Sequence, residues 1–150
     1  MNIERNNSQE KFQSEYQKVQ SNILHTASWL NLHSTKLLKP YSISPQQYNI
    51  LRILRDLHPK PATVKLLTER MVDKMSNASR LVEKLRQKGL VVREASDEDR
   101  RRVDVKITDK GLMLVEKASD ALEKAMEKQL STISPQEASE LNRLLRDIRS

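Results

Sequence analysis

Apolar side chains in this sequence recur at steps of three and four over long stretches, and the stretches stop where proline or glycine stands. Such spacing lays the apolar groups along one stripe of an amphipathic α-helix, so most of the chain is confined to helices that share a core. From about Ser8 to Lys39 the stripe is Phe12, Tyr16, Val19, Ile23, Ala27, Leu30 and Leu37, and Pro40 ends it. A helix of that length is more than a small domain can cover, and its ends are expected to reach a second subunit. Ser44-Pro45-Gln46-Gln47 then reads as an N-cap, a proline in the first turn and a capping-box glutamine. The second helix is expected to bury Tyr48, Leu51, Leu54 and Leu57, until His58-Pro59-Lys60-Pro61 closes it. Thr63 is a plausible cap for a short third helix through Leu66, Leu67 and Met71.

A fourth helix is predicted from about Lys74 to Lys88, capped by Asp73, with Ala78, Leu81, Val82 and Leu85 on its inner face. Gly89 stands where a left-handed residue would end it. The period then changes from helical to two. Leu90 to Ala95 reads as one strand and Val103-Asp104-Val105-Lys106-Ile107 as a second, with the charged run Ser96 to Arg102 as the hairpin tip. Thr108 opens a long fifth helix with Leu112, Val115, Ala118, Leu122, Met126 and Leu130 on one side. Ser134-Pro135-Gln136-Glu137 repeats the capping pattern before a last helix carrying Ala138, Leu141, Leu145 and Ile148. The expected fold is mainly α with a small β-hairpin wing, a winged helix-turn-helix flanked by N- and C-terminal helices. It is expected to be one domain over residues 1–150, with residues 41–111 as the winged lobe and residues 1–40 and 112–150 as dimerisation helices.

Charge sharpens the reading. The net charge is +7, and residues 41–111 hold 16 Lys and Arg against 10 Asp and Glu, so the excess lies in the winged segment. A basic excess gathered on one local unit suits an anionic partner. The apolar share of 37% and aromatic share of 3% leave a thin core, which suggests that further apolar surface is buried between subunits. The chain has no cysteine, which removes disulfides, thiolate zinc sites and thiol redox sensing. No apolar run approaches a bilayer span and Met1 to Gln20 has no signal-peptide apolar core, so no membrane partner and a cytoplasmic location are expected.

Duplex DNA requires a helix that fits the major groove with polar groups outward, and cations for the phosphates. On the fourth helix Ser76, Arg80, Glu83 and Gln87 fall opposite the apolar stripe, flanked by Asn77 and Ser79. Ser76, Asn77, Ser79 and Arg80 occupy the N-terminal half and are the candidate base readers, since Arg forks onto guanine and Asn pairs with adenine. Lys84 and Lys88 lie further along and are assigned to phosphate. On the hairpin tip Arg100, Arg101 and Arg102 are candidates for a narrow minor groove, with Arg101 foremost. Asp97, Glu98 and Asp99 beside them are placed either to neutralise the arginines or to hold one extended.

At this point the sequence resembles the MarR family of bacterial regulators. A recognition helix ending in Leu-x-x-x-Gly-Leu-Val corresponds to Leu85–Val91, an Asp-x-Arg wing to Asp99–Arg101, and Thr-x-x-Gly to Thr108–Gly111. The resemblance implies a homodimer formed by the terminal helices on a pseudo-palindromic double-stranded operator. It also implies minor-groove entry by Arg101, with Asp99 orienting it or a neighbouring arginine, and DNA contact at Ser79 and Arg80. Such regulators often repress, and leave DNA when a small aromatic or anionic effector binds. Trp29, His33, Tyr48 and Arg52 are the candidate effector residues, with plain core or interface packing of Trp29 and Tyr48 as the alternative.

Other classes have little to stand on. Gly89 and Gly111 are the only glycines, so no glycine-rich phosphate loop exists, and no catalytic constellation or cofactor is expected. His25, His33 and His58 lack metal-motif spacing; they read as surface or interface residues, with a zinc-responsive variant as the alternative. The competing functional class is a helical protein–protein adaptor whose winged lobe no longer binds DNA.

Overall fold

The computed structural model describes residues 14–150. Expectations for Ser8 to Gln13, Phe12 among them, lie outside the described residues. The chain divides into two units, residues 1–36 and residues 37–150.

In the first unit the described residues belong to helix α1 (Glu15–Leu38). Among the described residues the helix starts at Glu15. Ser14 Oγ accepts from the Gln17 amide at 3.2 Å and Gln17 Oε1 accepts from the Ser14 amide at 3.0 Å, a capping box that fixes the start locally. Along α1, Tyr16, Val19, Ile23 and Ala27 of the expected stripe are exposed, and Leu30 is half-buried.

The second unit begins with the end of α1, where Leu38 is buried, and a 3-10 turn over Lys39–Tyr41 that contains Pro40. Helix α2 (Pro45–Leu57) starts at Ser44 with the expected capping box. It buries Leu51 and Leu54, while Tyr48 and Leu57 stay half-buried. Helix α3 (Val64–Arg70) is capped by Thr63, whose hydroxyl accepts from the Leu66 amide. Helix α4 (Ala78–Gln87) leads through Gly89, at φ 74°, into strand β1 (Val91–Ala95). Strand β2 (Val103–Ile107) pairs antiparallel with it, Val91 opposite Ile107 and Ala95 opposite Val103. Ala62 adds a bridge on the other edge of β2, exchanging two backbone hydrogen bonds with Val105 at 2.9 and 2.8 Å. Before this bridge the chain turns, with the Lys60 amide donating to the Leu57 carbonyl at 2.8 Å, and Pro61 stands directly ahead of Ala62.

Helix α5 (Asp109–Leu130) is capped by Thr108 and helix α6 (Pro135–Arg149) by Ser134, with Glu137 completing a second capping box. The core joins Leu51 and Leu54 of α2, Leu67 of α3, Val82 and Leu85 of α4, Leu90, Val91 and Val105 of the hairpin, and Val115 of α5. Only the first half of the α5 stripe belongs to it. Val115, Ala118 and Leu122 are buried, whereas Met126 and Leu130 are exposed. No helix among the described residues is long and apolar enough to cross a membrane.

Candidate nucleic-acid interface

The amphipathic helix of the winged lobe starts four residues later than the sequence suggested. Asp73 does not cap it: Asp73 Oδ1 accepts from the Met75 amide at 3.0 Å and its carbonyl from the Ser76 amide at 3.2 Å, forming a tight turn. Asn77 is the cap, its Oδ1 accepting from the Arg80 amide at 3.1 Å. Lys74 to Asn77 therefore belong to the turn between α3 and α4, and Ser76 sits before the helix rather than on its outer face. The turn is fastened from behind by Asn49 of α2. This buried amide accepts from the Val72 amide at 2.9 Å.

On α4 itself Ala78, Val82 and Leu85 face the core, which turns Ser79, Arg80 and Lys84 out to solvent. The side chains of Arg80 and Lys84 have no hydrogen-bond or ion-pair partner among the described residues. Glu83 does have partners. Its carboxylate takes the Arg86 guanidinium at 2.6 Å and Arg93 of β1 at 3.3 Å. The hydrogen bond from Arg86 is the largest reason that its pKa falls from an ordinary 4.5 to about 2, with Arg93 adding to it against some desolvation. Lys88, expected at phosphate, is exposed, and its ammonium donates to the Ser42 carbonyl and to Gln47 Oε1.

The wing tip is built around Ser96, which is buried. Its hydroxyl accepts from the amides of Glu98 and Asp99, and its own amide donates to the Arg102 carbonyl at 2.8 Å. Asp99 Oδ1 accepts from the Arg101 amide at 3.0 Å, so Asp99 holds the backbone of Arg101 and leaves the guanidinium free. Asp97, Glu98 and Asp99 form no close ion pair with an arginine side chain among the described residues. Arg100 and Arg101 are exposed and unpaired, while Arg102 reaches Asp104 at 3.8 Å.

The candidate effector residues divide between the two units. In the first, the Trp29 and His33 rings pack with centroids 4.4 Å apart and planes tilted by 53°, and His33 Nδ1 meets the Trp29 carbonyl at 2.8 Å. In the second, Arg52 is exposed with no partner among the described residues, while the Tyr48 hydroxyl is committed to Ser119 Oγ at 2.9 Å. Arg55 donates to the same buried Ser119 at 2.8 Å and lies 3.7 Å from Glu116. Arg55 and Ser119 escaped the sequence reading because they stand 64 residues apart and only packing of α2 on α5 joins them. Among the described residues no three of His, Asp or Glu are grouped to hold a metal ion.

The geometry has close parallels. Residues 41–102 match the sequence pattern of the MarR family. The HTH-type transcriptional regulator MgrA of Staphylococcus aureus is 33% identical over 113 residues, covering 75% of this chain and 74% of that protein. A MarR transcription factor from Planctomyces limnophilus superposes with a TM-score of 0.67 at 30% identity, over 91% of this chain and 98% of the other. The organohalide-sensing regulator RdhR-CbdbA1625, solved with 2,4-dichlorophenol bound, gives a TM-score of 0.84 at 20% identity over 93% and 82%. At that identity the last likeness concerns the fold alone.

Proposed function

This chain belongs to the MarR family of DNA-binding transcriptional regulators, and from that premise we propose that it acts as a homodimeric repressor on a pseudo-palindromic operator and is released by a small effector. It is a regulator and not an enzyme. The observation that supports the operator reading best is the set of unpartnered polar side chains on α4 and the wing. Ser79, Arg80 and Lys84 stand outward on one helix face, and Arg100 and Arg101 on a hairpin tip whose backbone is fastened by Ser96 and Asp99. Unpaired cations on a basic protein are ready to meet phosphate and base edges without first breaking an internal pair.

In this reading α4 enters the major groove, where Ser79 and Arg80 meet base edges. Asn77 and Ser76 join them at the helix entrance, Asn77 with the amide nitrogen that its capping role leaves free. Lys84 meets phosphate, and Arg101 enters the minor groove with Arg100 and Arg102 at its borders. Residues 41–111 form the DNA-binding lobe, and the helices of residues 1–40 and 112–150 join two copies in the cytoplasm. The effector is an aromatic or anionic molecule. Its class is supported by the dichlorophenol of RdhR-CbdbA1625 and, within the first unit, by the tilted Trp29–His33 ring pair; in the second unit Arg52 is an exposed cation with no partner among the described residues. Tyr48 contributes less than expected, because its hydroxyl is already engaged by Ser119.

Selection of bound duplexes from a random pool, followed by sequencing, tests this directly. An inverted repeat with half-sites about one or two helical turns apart is expected. Enrichment of no sequence, or an affinity indifferent to salt, would point to a helical adaptor instead.

A further inference from the structure

The turn that leads into α4 displays two large apolar side chains to solvent: Val72 is 80% exposed and Met75 is 92% exposed. The backbone around them is fastened inward. Asn49 Oδ1 holds the Val72 amide at 2.9 Å and Asp73 Oδ1 holds the Met75 amide at 3.0 Å, while Met71 between α3 and this turn is fully buried. With the Val72 amide held by α2 and the Met75 amide held within the turn by Asp73, both side chains are left exposed. Leaving such groups in water is unfavourable, and a regulator gains when its target covers them.

The chemistry around the pair limits what that target is. From Val72 to Val82 the charged residues are Asp73, Lys74 and Arg80, and the acid is the one already accepting from Met75. The pair is continuous with the start of α4, the end of the helix that carries Asn77, Ser79 and Arg80. In a major groove the one apolar group on a base edge is the thymine 5-methyl, and an apolar side chain is its natural contact. We infer that Met75, with Val72 beside it, reads thymine methyl groups in each half-site and so sets a sequence preference that the polar residues of α4 do not. The inference rests on the reading of α4 as the groove-entering helix.

The test uses the full-length protein and the operator recovered by selection. Each thymine is replaced in turn by deoxyuridine, which keeps base pairing and removes only the methyl. At one or two positions per half-site, the replacement should weaken wild-type binding about fourfold, the factor that burial of one methylene-sized group carries. Met75→Ala or Val72→Ala should weaken binding to the thymine operator by a similar factor and abolish the sensitivity at its own position. Met75→Leu should retain it. Both alanine variants remove exposed atoms, so unchanged thermal unfolding is expected and a folding defect cannot imitate the result. Wild-type protein that binds the all-uracil operator as tightly as the thymine one overturns the inference, as does methyl sensitivity that survives both alanine changes. Alanine variants with intact operator affinity that lose a protein partner instead would reassign the pair and overturn it too. If no duplex is preferred at all, the operator reading falls and takes this one with it, a result distinct from operator binding without methyl sensitivity.

Discussion

At Gly111 an added Cβ would lie 2.3 Å from the Leu90 carbonyl oxygen and 2.7 Å from Ile107 Cγ1. The reason is Thr108, which ties the start of α5 to the end of α4. Its amide donates to Leu90 at 3.0 Å, its hydroxyl donates to the Gly89 carbonyl at 2.8 Å, and the same hydroxyl caps the Gly111 amide. The Thr-x-x-Gly motif is thus a clasp, and glycine is the residue that lets the helix come so near the strand. Replacing glycine by alanine in a helix normally adds about 1 kcal/mol of stability, but overlap with a backbone carbonyl costs about 1–3 kcal/mol or more. Gly111→Ala should therefore lower stability in urea unfolding by up to about 2 kcal/mol net; a stabilised variant would mean that α5 moves aside freely. Arg101 is the opposite kind of residue, exposed and unpaired in its side chain, with its place set through its amide by Asp99. Arg101→Ala should leave thermal unfolding unchanged and weaken operator binding by roughly 1–3 kcal/mol in an anisotropy titration. Unaltered affinity would remove it from the interface.

Between elements, Glu83 is the tie from α4 to β1, through Arg93, and within α4 to Arg86. Its pKa is lowered from 4.5 to about 2, so the tie is fully present above the ordinary value and is lost as pH falls through the lower one. Glu83→Gln should melt below wild type by a constant interval at neutral and mildly acidic pH, and that interval should close between pH 4.5 and about 2. Because the pair is exposed, raised salt should also shrink it. A difference that ignores both pH and salt would show that the carboxylate acts only through its shape. What was legible beforehand follows from how local each signal is. The boxes at Ser44–Gln47 and Ser134–Glu137, the cap at Thr63 and the left-handed Gly89 each need only a few neighbouring residues, and all stand where the sequence put them. The start of α4 was misplaced because Asp73 and Asn77 are both good caps, and the decision is made by Asn49, 23 residues earlier, pulling the Val72 amide towards α2. The partners of Glu83 and Lys88 were not legible for the same reason: Arg93 and Ser42 are brought near them only by the fold. Arg80, Lys84 and Arg101, which have no such partner, were legible as candidates from pattern alone.

On the scale of the molecule, the terminal helices carry apolar surface that one chain leaves uncovered. On α6, Leu141 is 48% and Ile148 60% exposed, and Leu144 is exposed beside them. Where α5 turns into α6, Met126, Leu130, Ile133 and Ala138 line a groove of about 590 Å³. This face continues the stripe of α5 past Leu122, where burial within the chain stops. The well-formed capping box at Ser134 and the Arg143 pairs with Glu140 and Asp147 keep α6 helical, so the apolar face is held in register instead of collapsing. Full burial of a leucine or isoleucine is worth about 1.5–3 kcal/mol, and several such side chains repeated by two-fold symmetry would support a lasting dimer. The expectation is a full-length protein that sediments as a dimer and whose melting temperature rises with protein concentration, as linkage to association requires. Deleting residues 134–150 should give monomers or aggregates and abolish the concentration dependence. Truncation also exposes the end of α5, so Ile148→Glu serves as the gentler probe. It changes a side chain that is 60% exposed, and it should loosen the dimer while the circular dichroism of the monomer stays helical. A truncated chain that still sediments as a compact dimer, together with an Ile148→Glu variant of unchanged association, would show that α6 is not what joins two copies.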